Sequence, residues 1–243
     1  MLDGLQYWIL KRFAPQPSPP GNTPEENNKL RNLLGAAFLD ELNGTTVTDF
    51  GCGHGHQALE MARAGAQVIG LDIRETVLEQ AREHARAAGL SSCCMFTQST
   101  GTLSDFVISI DAFEHFDDPA GILDQIYSLL KPGGSLVATF GPTWYHPRGG
   151  HLLSVFPWAH LIFSEKALMR WRANFRSDGA TRFGDAEGGL NQMTIRRFHT
   201  LVRNSRFDTA EIEVVPIRRL RAIHCRVTRE WTSALVRARL RKA

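Results

Sequence analysis

Three glycines constrain this chain more than any other feature. In the stretch TVTDFGCGHGHQALEMARAGAQVIGLDI, Gly51, Gly53 and Gly55 follow a β-rich run and stand immediately before a helical pattern. Glycines at such a junction adopt backbone angles that other residues resist and let the backbone approach a ligand closely; the helix start adds free N–H groups. The second β-rich run, AQVIGLDI, ends on Asp72, where a carboxylate can accept both hydroxyls of a ribose. Strand, glycine turn, helix and a second strand with a terminal acid form a βαβ unit suited to a nucleotide-like group.

The alternation continues. A helix is expected from Arg74 to Ala88, then the run CCMFTQ, the run DFVISIDA, a helix over 119–130, the turn KPGG and the strand GSLVATFG. Strands alternating with helices predict an α/β fold, a doubly wound, Rossmann-like, mostly parallel sheet with helices on both faces. Ahead of the first strand, Leu30, Leu33, Leu34, Ala37, Phe38 and Leu42 recur at helical spacing after a start at Thr23-Pro24, so one helix is expected there. Residues 1–13 read as a short amphipathic helix. APQPSPPGNTPEE, with five prolines, reads as an extended arm.

Beyond residue 141 the alternation stops for some fifty residues, and 142–193 reads as an insertion after the fifth strand, with a helix around Ser164 to Phe175. Core-like pattern returns with a helix over Thr194 to Asn204 and the strand FDTAEIEVV, followed by a terminal helix from Thr228 to Arg241. The expected division is an N-terminal arm and helix start at 1–32, and a single domain at 33–243 carrying the insertion as an acceptor-site cover.

Composition narrows the class. Hydrophobic residues make up 43% of the 243 residues and charged residues 22%, a mixture that excludes disordered, collagen-like and disulfide-packed chains. Cys52, Cys93, Cys94 and Cys225 show no zinc-ligand spacing. No apolar run approaches the roughly 18 residues of a spanning helix, and MLDGLQYWILKRF has no small-residue cleavage pattern. A cytoplasmic location follows as the expectation. The net charge of +3 hides an asymmetry, because residues 196–243 carry 13 Lys and Arg against 4 Asp and Glu.

Asp49, two residues before Gly51, separates two cofactor classes. A nicotinamide site sets its pyrophosphate on the helix start, where a neighbouring acid is unwelcome; an acid there suits a cationic amino-acid group. With those residues in view, the chain resembles the class I S-adenosylmethionine-dependent methyltransferases. DFGCGHG matches their first motif, GLDI their ribose motif, and LLKPGGSLVATF their recurrent turn and fifth strand. The resemblance spans about 33–141 and resumes near 194–215.

That resemblance implies S-adenosyl-L-methionine as cofactor, with Asp49, Gly51, Cys52, Gly53 and Gly55 around its methionine portion. Asp72 would bind the ribose and Ile73 flank the adenine, while Ile110, Asp111 and Ala112 would lie beside the methyl group. Where family members commonly place an acid after the third strand, this chain has FTQSTGTLSD, so Gln98 or Ser99 stands in. His115 occupies the place of a histidine that follows Glu in many members, either meeting substrate or orienting its loop.

Ligands of such sheets bind beyond the C-terminal strand ends, which makes the insertion the natural acceptor cover. Trp144, Tyr145, Arg148, His160 and Trp158 form an aromatic and polar set suited to a small molecule, with Asn191, Gln192 and Arg196 at the rim. His146 and His151 are the candidate bases. His146, His151 and His160 have no supporting carboxylate in the sequence pattern, so no metal is expected. Gly149-Gly150 and Gly188-Gly189 are candidate joints for closure.

The function expected is methyl transfer to the oxygen or nitrogen of a small molecule by in-line substitution. Two alternatives stand beside it: an RNA or other nucleic-acid methyltransferase using the basic C-terminal region, and a non-catalytic interaction protein retaining the fold. The apolar run LLSVFPWAHLIF is read as packing onto the core, with a lid, a homodimer surface and a lipid contact as its other readings.

Overall fold

A computed structural model describes residues 2–14, 28–153, 155–186 and 189–243. The proline-rich segment, the helix start at Thr23-Pro24 and the joint residue Gly188 lie outside the described residues.

Helix α1 (Leu2–Phe13) comes first, then two short helices, α2 (Lys29–Leu34) and α3 (Ala36–Glu41). The expected single helix is broken at Gly35, whose φ of 87° lies outside helical space. Each half buries its own apolar residues, Leu30 on α2 and Phe38 and Leu39 on α3. The break therefore keeps both halves on the same core. Buried Glu60 accepts the Leu30 and Arg31 amides, both at 2.9 Å, satisfying donors at the start of α2 with a negative charge where the helix dipole favours one.

The core follows as β1 (Thr46–Phe50), α4 (His56–Arg63), β2 (Gln67–Leu71), α5 (Glu75–Ala87), β3 (Cys94–Thr97), β4 (Ser104–Ile110), α6 (Pro119–Leu129) and β5 (Leu130–Phe140). Asp118 caps α6 by accepting the Gly121 amide at 3.0 Å, with Pro119 in the first turn, a start worth about 1 kcal/mol. After β5 come α7 (Ala159–Ile162), α8 (Glu165–Arg172), α9 (Ile195–Arg203), β6 (Thr209–Pro216), α10 (Arg229–Thr232) and β7 (Ser233–Arg241).

The seven strands lie in the order β3-β2-β1-β4-β5-β7-β6. The first five are parallel, and β7 runs antiparallel between β5 and β6. The expected fold class is met, and one element is corrected. The segment assigned to a terminal helix is only a four-residue helix followed by a nine-residue strand. Its residues alternate, with Val236, Ala238 and Leu240 buried between Arg237, Arg239 and Arg241, the two-residue period of a strand.

One core lies on each face of the sheet. Phe113, Leu123, Ile126, Phe140 and Phe198 fill the first, and Leu30, Phe38, Leu42, Met61, Leu78 and Phe96 the second. A third cluster sits apart from both. There Leu10 of α1 is fully buried against Leu153, Phe163, Leu168, Trp171 and Phe183 of the insertion. Asp3 and Gln6 of α1 fasten Ser164, accepting from its hydroxyl at 2.7 Å and its amide at 2.8 Å. The N-terminal helix thus packs against the insertion.

Candidate functional site

Sheet order locates the site. β1 has β2 on one side and β4 on the other, and the chain reverses its direction of strand addition between β1 and β4, which opens a crevice at their C-terminal ends. Asp49 and the glycine turn leave β1 there, Asp72 follows β2, and Ile110 to Ala112 leave β4.

The turn's amides are already engaged. Gly51 and Cys52 both donate to the Leu71 carbonyl, at 2.8 and 2.9 Å, and Gly55 to that of Cys52 at 2.9 Å. Gly53 donates to Asp72 Oδ2 at 3.1 Å, while Asp72 Oδ1 accepts the Arg74 amide at 3.0 Å. Gly55 is required twice over: its φ is 79°, and a Cβ would stand 2.9 Å from Ala81 and 3.0 Å from Phe96. The turn is therefore a stiff loop that presents acids and carbonyls to the crevice. Cys52 offers its amide to β2 instead of to a ligand, and its buried thiol is pushed up by burial and then by Asp49, which leaves it inert.

Asp49 is 3% exposed. A hydrogen bond from the Ala58 amide reaches its carboxylate, yet Oδ2 is buried without a partner. Burial, against that hydrogen bond and with a smaller push from Asp72, raises its pKa to about 7. A buried acid with one unsatisfied oxygen beside a loop short of free amides matches a cation better than a phosphate.

Around it, Asp111 sits at a left-handed φ of 51° and pairs with Lys29 of α2 at 2.7 Å. Ala112 packs beside Gly51, 3.6 Å from where a Cβ would stand. Gln98 reaches the Ile73 carbonyl at 3.3 Å, so the two residues expected at the adenine do meet. Ser99 instead closes a local turn with Thr97.

Across the crevice, the loop after β4 carries Glu114 and His115. Glu114 is 3% exposed; Oε1 accepts the Gly141 amide at 3.1 Å and Oε2 is buried without a partner. Burial, then the charge of Asp111, raises its pKa to about 8. His115 donates from Nδ1 to the Gly189 carbonyl at 2.7 Å. The His151 ring stands edge-on to it at 5.2 Å, with Nε2 buried and unpartnered. Burial, then His115, lowers the His151 pKa to about 4. Asn191 clamps this loop, donating from its side chain to Phe113 and Phe116, each at 2.7 Å, and from its backbone to Glu114 at 2.9 Å.

The other expected cover residues separate. His146 accepts the Arg148 amide at 2.9 Å in a local turn, and burial followed by Arg148 lowers its pKa. His160 is buried, donating to the Trp144 carbonyl at 2.7 Å and packing on the Trp144 ring, which also meets Phe183. Tyr145 stacks on Trp231 of α10 at 4.8 Å. Arg148, Gln192 and Arg196 are exposed, and the Arg196 amide is held by Glu230 at 2.8 Å.

A family model described as a methyltransferase domain matches residues 48–138. The ubiquinone biosynthesis O-methyltransferase of Methylococcus capsulatus is 35% identical over 181 residues, 65% of this chain and 72% of that protein. The chain belongs to the class I S-adenosylmethionine-dependent methyltransferases. The enzyme of the same name from Acinetobacter baylyi is 36% identical over 114 residues, 42% of this chain and 48% of that one. This methyltransferase spans about half or less of the length of several such relatives. Magnesium protoporphyrin IX methyltransferase from Synechocystis, solved with S-adenosylhomocysteine, is similar in fold, with a TM-score of 0.57, 17% identity, and coverage of 99% of this chain and 94% of that chain.

Sequence reasoning missed two residues of the candidate site and misplaced a third. Lys29 lies twenty residues ahead of the motif, and nothing local marks it. Asn191 was expected at the rim and instead braces the loop from within. Glu114 had the best signal, a carboxylate directly after Phe113 in DAFEHF, where only pairing or protonation permits burial.

Proposed function

We propose that this chain transfers the methyl group of S-adenosylmethionine to a small-molecule acceptor, at oxygen or nitrogen, with oxygen favoured. The carrying observation is Asp49, whose buried Oδ2 lacks a partner at the crevice where a cationic amino-acid group is expected. The residues fit that cofactor. Asp49 supplies the charge for the α-ammonium, the rigid turn supplies the wall, Asp72 the acceptor for ribose hydroxyls, and Ile73 and Gln98 the adenine rim, with Ser99 beside them.

The bound cofactor supplies an electrophilic methyl on a sulfonium. Every other contribution is this chain's own. Gly51, Cys52, Gly53 and Gly55 fix the wall, and Ile110, Asp111 and Ala112 line the side from which an acceptor approaches. Orientation of cofactor and acceptor in a site that excludes water lowers most of the barrier. His151, held neutral by burial, and Glu114 are the groups that can take a proton from an acceptor hydroxyl; His115 shares their loop cluster. His146 and the set Trp144, Tyr145, Arg148, His160, Gln192 and Arg196 serve the cover's shape and rim.

The relatives' shared name, O-methyltransferase of ubiquinone biosynthesis, favours oxygen as the atom methylated. In the basic C-terminal region, Arg237 pairs with Glu213 and Arg239 with Glu41, which leaves those arginines poorly placed for phosphates and supports the small-molecule reading. Calorimetry with S-adenosylmethionine and S-adenosylhomocysteine, on wild type and Asp72→Ala, tests the cofactor assignment: wild-type protein that binds neither overturns it. Incubation with methyl-labelled cofactor and separated metabolite, RNA and protein fractions tests the acceptor. Label found only in RNA reverses the reading.

A further inference from the structure

We propose that Glu114, His115 and His151 form a binding site for one divalent transition-metal ion of the zinc class. Each residue brings one donor atom, and the donors lie within 4.8 Å of one another. This departs from the expectation of no metal, which rested on the lack of a carboxylate near the cover histidines. The fold supplies one, because the loop after β4 brings Glu114 beneath His151.

Each donor is aimed by a second interaction. Glu114 uses Oε1 on the Gly141 amide, leaving Oε2 buried without a partner. His115 donates its Nδ1 proton to the Gly189 carbonyl, which fixes the tautomer and leaves the lone pair on Nε2, the outer-shell pattern of metal-bound histidines. His151 Nε2 is buried and unpartnered, on a backbone held at a φ of 50°. Two orphaned donors in one cluster are costly unless a ligand satisfies them.

The donor set names the ion. Two imidazoles and one carboxylate match three-ligand zinc sites with an open fourth position, whereas magnesium and calcium prefer all-oxygen surroundings. Bonds of about 2.1 Å place tetrahedral ligand atoms roughly 3.4 Å apart, so modest side-chain rotation closes the cluster. Methyl transfer by substitution needs no electron transfer to or from a metal, which favours a redox-inert ion. The ion's role rests on the methyl-transfer reading: in the open position it would hold an acceptor hydroxyl and lower its pKa, the proton leaving to solvent, because Glu114 and His151 act as bases only while no ion occupies their donor atoms.

Zinc titration by calorimetry, with cobalt(II) absorption as a second readout, tests the site. His84→Ala serves as background, because the stacked His56 and His84 rings are an exposed place for adventitious zinc. One zinc per chain is expected, with affinity falling at least about tenfold in Glu114→Gln and in His151→Ala. Cobalt bands of an imidazole site should vanish in both. No stoichiometric zinc in the background protein, or undiminished affinity in either variant, overturns the site. S-adenosylhomocysteine binding on the same samples reports folding and separates the two readings: its loss with zinc retained strikes the methyltransferase reading alone, and its retention without zinc strikes the metal site alone.

Discussion

Lys29 Nζ stands 2.7 Å from Asp111 Oδ2, joining the helix ahead of the sheet to the residue that follows β4. Glu60 holds the helix start that presents Lys29, so a cation is fixed over a crevice whose other charges are Asp49, Asp72 and Asp111. Both partners are about a third exposed, and the pair contributes under about 1 kcal/mol to stability. Its larger effect is on the charge a ligand meets. Lys29→Met should shift thermal unfolding little and raise affinity for cationic S-adenosylmethionine relative to its neutral-sulfur product by about threefold, the size of such an interaction. Parallel titrations with the two compounds measure the ratio.

Asp49 predicts a proton linked to cofactor binding. Its pKa is raised to about 7 by burial, and a cation binds the ionised form. Below pH 7 binding must therefore release a proton, and affinity should fall as pH drops, approaching about tenfold per unit. Calorimetry at pH 6 in buffers of different ionisation enthalpy should show that release, and Asp49→Asn should abolish it. The stability sign is the opposite. A carboxyl with a raised folded-state pKa stabilises below its unfolded value and loses that contribution as pH rises through 7, so cofactor-free Asp49→Asn should out-melt wild type at pH 8.

Gly55→Ala should be destabilising through the packing behind the cofactor wall. The new methyl meets Ala81 and Phe96 at about 3 Å on a left-handed backbone, a combination costing roughly 1–3 kcal/mol. Urea unfolding reads the change. An unaltered midpoint would mean the turn is softer than its packing implies.

Leu10→Ala opens a cavity where α1 meets the insertion, and burial of this kind is worth about 2–5 kcal/mol. Hydrogen exchange should accelerate in α8 and leave β1, β4 and β5 protected, because their cores share no residue with this cluster. Equal acceleration throughout would show the cover and core to be one cooperative unit.

Much of this fold is legible in the sequence because its signals are local. A glycine turn between a strand and a helix, an acid ending the second strand and the β-rich run DFVISIDA each report on a few neighbouring residues. The misread segment 233–241 was also local, but its arginines at alternate positions look like the polar face of a helix until the buried Val236, Ala238 and Leu240 show the shorter period. The cluster of Glu114, His115 and His151 was illegible for another reason. His151 is 36 positions from His115 and 37 from Glu114, and only the return of the insertion over the sheet brings the rings together.

β7 lies between β5 and β6 in the sheet although it follows both in the chain. Until it inserts, β5 presents an open edge and β6 has nothing to pair with. The crevice at β1 and β4 can form from earlier segments, so assembly of the ligand-holding half can precede closure of the sheet. β7 also covers an interval of backbone on β5 that other chains could otherwise template upon, a safeguard against aggregation built into the strand order.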